Sequence, residues 1–579
     1  MKFQQHIHQY FPNLELHSLE ELTLYSSKEP VSDVTSFADL IYWPPNIFVI
    51  LYTLIERTDK YRLLVSPKNG FGWKKVDQDE VDIINNDWHK LLADMYSQQN
   101  LPFASFDILH NLTIIFNKNT YNSCIYELFK DPQFSKACFK ILLAIDKLFS
   151  KINVCDYNKL EPLQFFLFLR ESSKTISQSK LNTTSNISDC HSKNGIVTFK
   201  SSVPQTGLTM NNVTHNLTVI KPTVKPHIVS NRAKSHGFNK SSYNILFLPW
   251  PQTVSSSSFK IAKNDPEMDM NGYFGFFDYK PKKSIDTKLF LAALKQGIRR
   301  AGQVDLIVLP ECAMSNQTFE DICNDLSHIF KEHAPSLLSG VYGQEPDGYG
   351  INSAKLAFVN ELGSYQIEEQ RKHHRWFLDQ SQIRNYNLAN ALDPGRKWWE
   401  KIKIGRRRLL TVHSNKQVTL CPLICEDLAR QEPVAQAVRS VGANLVISLL
   451  LDGPQLSFRW PGKYAAVLSD DPGSSVLSVT ALGMTQRATG LGHDPSSDVA
   501  LWSEPGQSAT TLNLKDDHDG LVLELTISLE QQWTIDGRLE EKSVLRKNEV
   551  TPIKISESDR NKTQRSLRDS LAKEFSRGR

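Results

Sequence analysis

Apolar positions along the chain follow two periods, and the change between them divides the sequence. Before residue 170 the spacing is helical. In "FSKACFKILLAIDKLFSKI", Cys138, Ile141, Leu142, Ile145 and Leu148 recur at intervals of three and four, which predicts an amphipathic helix. "NDWHKLLADMY" repeats the pattern, and Pro44, Pro45 and Asn46 would open a further buried segment through "NIFVILYTLI". Residues 1–170 therefore predict a mostly helical domain. From 171 to 242 Ser, Thr, Asn and Lys dominate and no period holds, so this stretch reads as a polar linker with one short ordered segment at "GIVTF".

Residue 243 begins a third regime. "NILFLPW" and "VDLIVLPE" are continuous apolar runs of strand length, separated by the amphipathic "TKLFLAALKQGIRRAG" with its glycine stop. "SLLSGVYGQ", "NSAKLAFVN", "QVTLCPLIC" and "ANLVISLLL" add further strands, with helices at "FEDICNDLSHIFKEH" and "DLARQEPVAQAVRSVG". Alternating helices and fully apolar strands imply an α/β domain over 243–530. Residues 531–579 form an extension whose end, "SESDRNKTQRSLRDSLAKEFSRGR", is polar and basic, a mobile tail or a partner-docking helix.

Composition narrows the setting. A net charge of +4 over 579 residues implies no nucleic-acid or membrane partner by itself. No apolar run reaches bilayer length, and the N-terminus has no signal-peptide pattern. Eight cysteines show neither metal-ligand pairing nor disulfide density, which predicts a reducing, cytoplasmic setting with no metal and no cofactor. His373 and His374 lack companions at ligand spacing.

Three reactive side chains stand where α/β strands end: Glu311 after "LIVLP", Lys372 in "EEQRKHHRW", and Cys425 in "VTLCPLICEDLAR". The carboxyl ends of strands are where such folds assemble sites. A thiol of ordinary pKa, about 8.5, is mostly protonated at neutral pH, and a helix start and a nearby cation would lower it. Glu311 could take the thiol proton and return it to a leaving amine. Lys372 and the backbone N–H of Glu426 could meet charge developing on a carbonyl oxygen, one such donor being worth about 3–4 kcal/mol. Cys421, an even number of residues from Cys425, would face the same side as a packed neighbour.

In this order on these elements, Glu311, Lys372 and Cys425 resemble the nitrilase superfamily of carbon–nitrogen hydrolases. "NILFLPWP", "GANLVISLLLDGP" and "SSVLSVTALG" are similar to the family's flanking strands. The resemblance covers roughly 243–530. It implies an αββα sandwich that often dimerises or forms larger homo-oligomers, and an amidase or nitrile hydrolase working through a cysteine thioester on a small amide-like substrate. A second glutamate, expected seven or eight residues after the lysine, is replaced by Asp379 and Gln380, so Asp379 is the candidate for that supporting role. Nitrilase-like domains also accompany reverse transcriptases in bacterial antiviral defence systems. That company gives an alternative, a binding or oligomerising effector without turnover. The run 395–410, "GRKWWEKIKIGRRRLL", leaves two readings open. Arg396, Lys397, Arg406, Arg407 and Arg408, with Trp398 and Trp399 stacking, could hold a polyanion or nucleic acid. Alternatively the run is a solvated loop with docked tryptophans.

Overall fold

The computed structural model describes residues 1–16, 33–66, 71–97, 107–150, 186–221, 223–230, 241–262, 273–359, 364–404, 407–430 and 436–577. These fall into two compact units, Met1–Ile228 with Ala437–Gly442 and Gln531–Lys542, and Val229–Gln436 with Ala443–Glu530 and Ser543–Arg579. Among the described residues, no helix is long and apolar enough to cross a membrane.

The first unit is built mainly on helices. Pro45–Thr58 begins at the double proline and is buried almost all round. Pro132–Leu148 starts where the Asp131 carboxylate accepts the Gln133 amide, with proline in the first turn, whose amide needs no partner. Residues 186–221 depart from the linker expected over 171–242. Strands Ile196–Phe199 and Leu217–Ile220 pair antiparallel, and Val197, Met210, Val213 and Leu217 join the helices in one core. The cause is a buried carboxylate. Asp146 is removed from solvent within its helix and accepts the amides of His215, Asn216 and Leu217 at 2.8–2.9 Å. A charge so placed needs such donors, so it orders the polar segment that supplies them. Residues 151–170, the last part of the expected helical domain, and residues 171–185, 222 and 231–240 of the expected linker lie outside the described residues.

The second unit is α/β. One sheet runs Tyr365–Arg371, Gly350–Val359, Ser336–Gln344, Leu306–Ser315, Ser242–Phe247, Gly520–Trp533, Leu539–Ile553. Another runs Thr510–Asn513, Asp498–Ser503, Ser475–Thr480, Leu445–Leu450, Thr419–Ile424, Arg408–His413. The centre of each is parallel and its flanks antiparallel. Alternation along Ser242–Phe247 shows how the layers form. Tyr243, Ile245 and Phe247 enter a core shared with Leu420, Leu445 and Leu477 of the other sheet, whereas Leu246 packs with Phe290 and Leu294 of helix Thr287–Ala301. Leu567 and Leu571 of helix Gln564–Arg577 are fully buried in that same helical layer, so the polar end of the chain docks on its own domain through two leucines.

Strand Leu306–Ser315 breaks register with Ser336–Gln344 between Leu309 and Met314, and Cys312 there has φ 51°. The bulge lifts Glu311 out of ladder pairing. Gly340 on the neighbouring strand makes room for it, since a Cβ at 340 would stand 2.4 Å from Glu311 Cα and 2.5 Å from the Cys312 nitrogen. Gly340→Ala should therefore lower stability by about 1–3 kcal/mol, the usual effect of overpacking, and shift the Glu311 backbone. An unchanged denaturation midpoint would show that the bulge yields freely.

Candidate active site

Three segments of the second unit converge at a buried charge cluster. The bulge presents Glu311, the end of strand Tyr365–Arg371 presents Lys372, and strand Lys397–Glu400 presents Glu400. Lys372 is 1% exposed. Its ammonium donates to Glu311 Oε1 at 2.8 Å and to Glu400 Oε2 at 2.7 Å. Asn352 closes the ring, its amide nitrogen donating to Glu311 Oε1 and Glu400 Oε1, both at 2.7 Å. The Trp376 amide adds a third donor to Glu400 at 3.0 Å. Two carboxylates around one ammonium leave excess negative charge in a dry site. Burial, with Glu400 adding to it, holds the Glu311 carboxyl above its usual range. Lys372 is held well above its ordinary value because the attraction of both carboxylates and of the Cys425 sulfur outweighs its own desolvation.

Cys425 follows strand Thr419–Ile424 and opens a short 3-10 turn, Cys425–Ala429. Its φ of 47° breaks the pleat, so Ile424 and Cys425 both reach the core between the sheets, and Cys421 is buried outside that core. The expectation that the two thiols share a face fails for this reason. The thiol pKa also departs from expectation. The turn is too short for a substantial dipole, and burial, followed by the charge of Glu311, pushes the Cys425 thiol well up despite Lys372. The sulfur rests as S–H within reach of the Glu311 charge. Glu311 Oε2 has no partner among the described residues, so one of its oxygens stays free to accept a proton.

Asp427, fully buried, locks the two loops together. It accepts the His373 amide at 3.1 Å and pairs with His374 Nδ1 at 2.8 Å, fixing the Lys372 segment against the turn that carries Cys425. His373 Nε2 meets the Arg408 carbonyl at 3.1 Å. Both histidines are structural ties here, and the described residues hold no cluster suited to a metal ion.

Asp379 does not take the supporting role expected beside the lysine. Asp379 caps helix Gln380–Asn385 by accepting the Gln382 amide at 2.8 Å, and the second carboxylate beside the lysine is Glu400. The signal for Glu400 lay in "KWWE": on a strand it shares a face with Trp398, whose indole is buried above Gly275. The run that left open a basic surface or a loop with docked tryptophans thus forms a strand that buries Trp398 and delivers an acid to the interior. Its exposed cations are largely spoken for. Arg408 pairs with Glu368 at 3.2 Å, Lys403 with Asp347 at 2.7 Å and Arg396 with Asp393 at 3.8 Å. Lys397 lies over the rings of Phe274 and Phe377. Arg407 is exposed, and Arg406 lies outside the described residues. The Glu426 side chain points outward to pair with Arg430. Asn352 and Asp427 escaped the sequence reading because neither has a motif of its own.

No family model and no curated protein matches the chain. Among solved structures it is similar in part to a glutamine-dependent NAD+ synthetase from Acinetobacter baumannii, at 13% identity over 49% of this chain and 45% of that one, TM-score 0.31. It is also similar to a mutant of an amidase of the nitrilase superfamily from Nesterenkonia AN1, at 14% identity over 50% of this chain and 94% of that one, TM-score 0.31. A further amidase from Nesterenkonia sp. aligns at 15% identity over 58% of this chain and 100% of that one, TM-score 0.29.

Two outcomes test the electrostatics. Lys372→Met would strand two buried carboxylates and should cost about 3–5 kcal/mol at neutral pH. Burial already raises the Glu311 carboxyl, and losing the lysine removes an attraction that lowers it, so the stability Glu311 contributes is present below its unfolded value of about 4.3 and lost as pH rises. Stability of the variant should therefore recover on acidification, and a pH-independent deficit would contradict the charge account. Cys425 in the wild type should alkylate more slowly than a free thiol near neutral pH and speed up into the alkaline range, because its pKa is raised. A rate that levels off below the ordinary thiol pKa would contradict the neutral resting state.

Proposed function

We propose that the second unit is a carbon–nitrogen hydrolase of the nitrilase type, an αββα sandwich cleaving an amide-like small molecule through a Cys425 thioester. The observation that carries the reading is the buried Glu311–Lys372–Glu400 cluster acting on a thiol held at left-handed backbone after a parallel strand. A cluster of this kind contributes little to stability that apolar packing could not supply, so its arrangement is better explained by chemistry.

The steps follow from the free valences. Cys425 Sγ attacks the carbonyl carbon while its proton passes to Glu311 Oε2, the oxygen without a partner. Two of the three Lys372 hydrogens are committed to carboxylates, leaving the third for the oxyanion, with the Glu426 amide as second donor. Glu311 returns the proton to the departing nitrogen, and the C–N bond breaks to leave an acyl-thioester. Water, deprotonated by Glu311, then attacks the thioester carbonyl, and the thiolate leaving as acid forms recovers the proton. Glu400 takes no part in bond making. It holds Lys372 in place and keeps it charged.

Cys425→Ala should abolish release of ammonia or amine from any amide the wild type hydrolyses. Glu311→Gln should slow turnover by roughly 10²–10⁴-fold, the range for a general acid–base, with folding retained because the Lys372–Glu400 pair persists. Intact-mass analysis of wild type quenched in acid should show an acyl adduct on Cys425. If Cys425→Ala retains hydrolysis, or a broad panel of amides and nitriles gives neither product nor adduct, the reading fails.

A further inference from the structure

Asp452 stands two residues past the end of strand Leu445–Leu450, which runs parallel to the Cys425 strand with Leu449 opposite Ile424. It therefore emerges at the same sheet end as the nucleophile, one strand over, and its charge reaches the Cys425 sulfur. A second path joins it to the cluster. Trp376, whose amide binds Glu400, packs edge-on against Tyr386 with ring centroids 6.0 Å apart, and the Tyr386 hydroxyl donates to Asp452 Oδ1.

The carboxylate is used asymmetrically. Oδ1 accepts the Tyr386 hydroxyl, the Gly453 amide at 2.7 Å and an Arg459 N–H at 3.1 Å. Oδ2 is buried and has no partner among the described residues, in a residue only 5% exposed. A buried anionic oxygen without a donor is costly, so its neighbours hold it ready for a donor that arrives from outside. The local charges bias which donor that is. Glu311, Glu400 and Asp452 stand against Lys372 and Arg459, so an anionic acyl group would be repelled and a cationic one welcomed.

We infer that Asp452 Oδ2 is the recognition point for a protonated amine on the acyl part of the substrate, which makes the preferred substrates amides of amino-substituted acids. The inference rests on the reaction proposed above and specifies its substrate class. Glu311 Oε2, the other unpartnered carboxylate oxygen of the site, is reserved there for the thiol proton. Asp452 Oδ2 has no such task and is left for binding.

The test separates binding from chemistry by using the full chain with Cys425→Ala. Calorimetry would compare glycinamide, 3-aminopropanamide and 4-aminobutanamide, each with the neutral amide in which methyl replaces ammonium. At least one aminated amide should bind roughly 10- to 100-fold tighter than its neutral match, as a hydrogen bond to a charged group gives. Asp452→Asn, which keeps an oxygen for Tyr386 and Gly453, should remove that gap. Equal binding of every pair, or a gap that survives Asp452→Asn, overturns the inference. Should the Asn variant not fold, succinamate decides the matter, because binding as tight as that of 4-aminobutanamide would also overturn it. Turnover is read separately in protein retaining Cys425. Equal hydrolysis of aminated and neutral amides defeats only the substrate assignment, whereas an Asp452-dependent binding gap without hydrolysis defeats only the reaction.

Discussion

The second unit is organised around one charge that cannot reach water. An isolated ammonium in a dry interior would cost several kcal/mol even after relaxation, and Lys372 avoids that only because two carboxylates meet it at hydrogen-bond distance. Those carboxylates repel each other, and Asn352 resolves the conflict by giving one amide hydrogen to each. The ring therefore needs the bulge at Glu311, the glycine at 340, the end of Tyr365–Arg371 and the short strand Lys397–Glu400 all in register. Moving any of them by a fraction of a hydrogen-bond length exposes an unpaired charge.

How far the sequence discloses this follows from what kind of interaction holds each part. Strands such as Ser242–Phe247 and Leu445–Leu450 are continuous apolar runs, so periodicity alone locates them, and Glu311, Lys372 and Cys425 are conspicuous as polar residues where such runs stop. The partners are invisible for the opposite reason. Glu400 sits in a stretch whose average character is basic, and only the two-residue period shared with Trp398 marks it as inward. Asp379 stands nearer the expected position, but a carboxylate that caps a helix has already used its acceptor. Cys421 and Cys425 mislead through parity, because one residue of positive φ reverses the face. The segment 186–221 looks like linker by composition, and its order comes from Asp146, far off in sequence. Local pattern reads apolar burial well; it cannot read a long-range demand for donors.

The resting thiol also bears on the chemistry. A cysteine activated by a lowered pKa is reactive toward any electrophile that reaches it. Here burial and Glu311 keep sulfur protonated, so under the proposed reaction nucleophilicity appears only when a carbonyl and a route for the proton are present together. Lys372 cannot relieve this by itself, since its positive charge is already divided between two acids. Under the proposed reaction the same division has a use: the ammonium is held still and charged, with one hydrogen over, at the place where an oxyanion would form.

These arrangements share a logic of costs met in advance. Left-handed backbone at Cys425 stores of order 1–3 kcal/mol, and buried acids with unpartnered oxygens at Glu311 and Asp452 add to it. The apolar layers can carry that load, because one core joins the two sheets and a second packs helices on the other face of the sheet that carries Glu311. Asp427 then spends a fully buried carboxylate on tying the lysine loop to the cysteine turn, where an apolar residue would have packed more cheaply. Such a tie makes sense if relative position within the site matters more than local stability. A site whose geometry is fixed by folding has little left to reorganise when its ligand arrives, and that fixed geometry is what electrostatic stabilisation of a transition state requires.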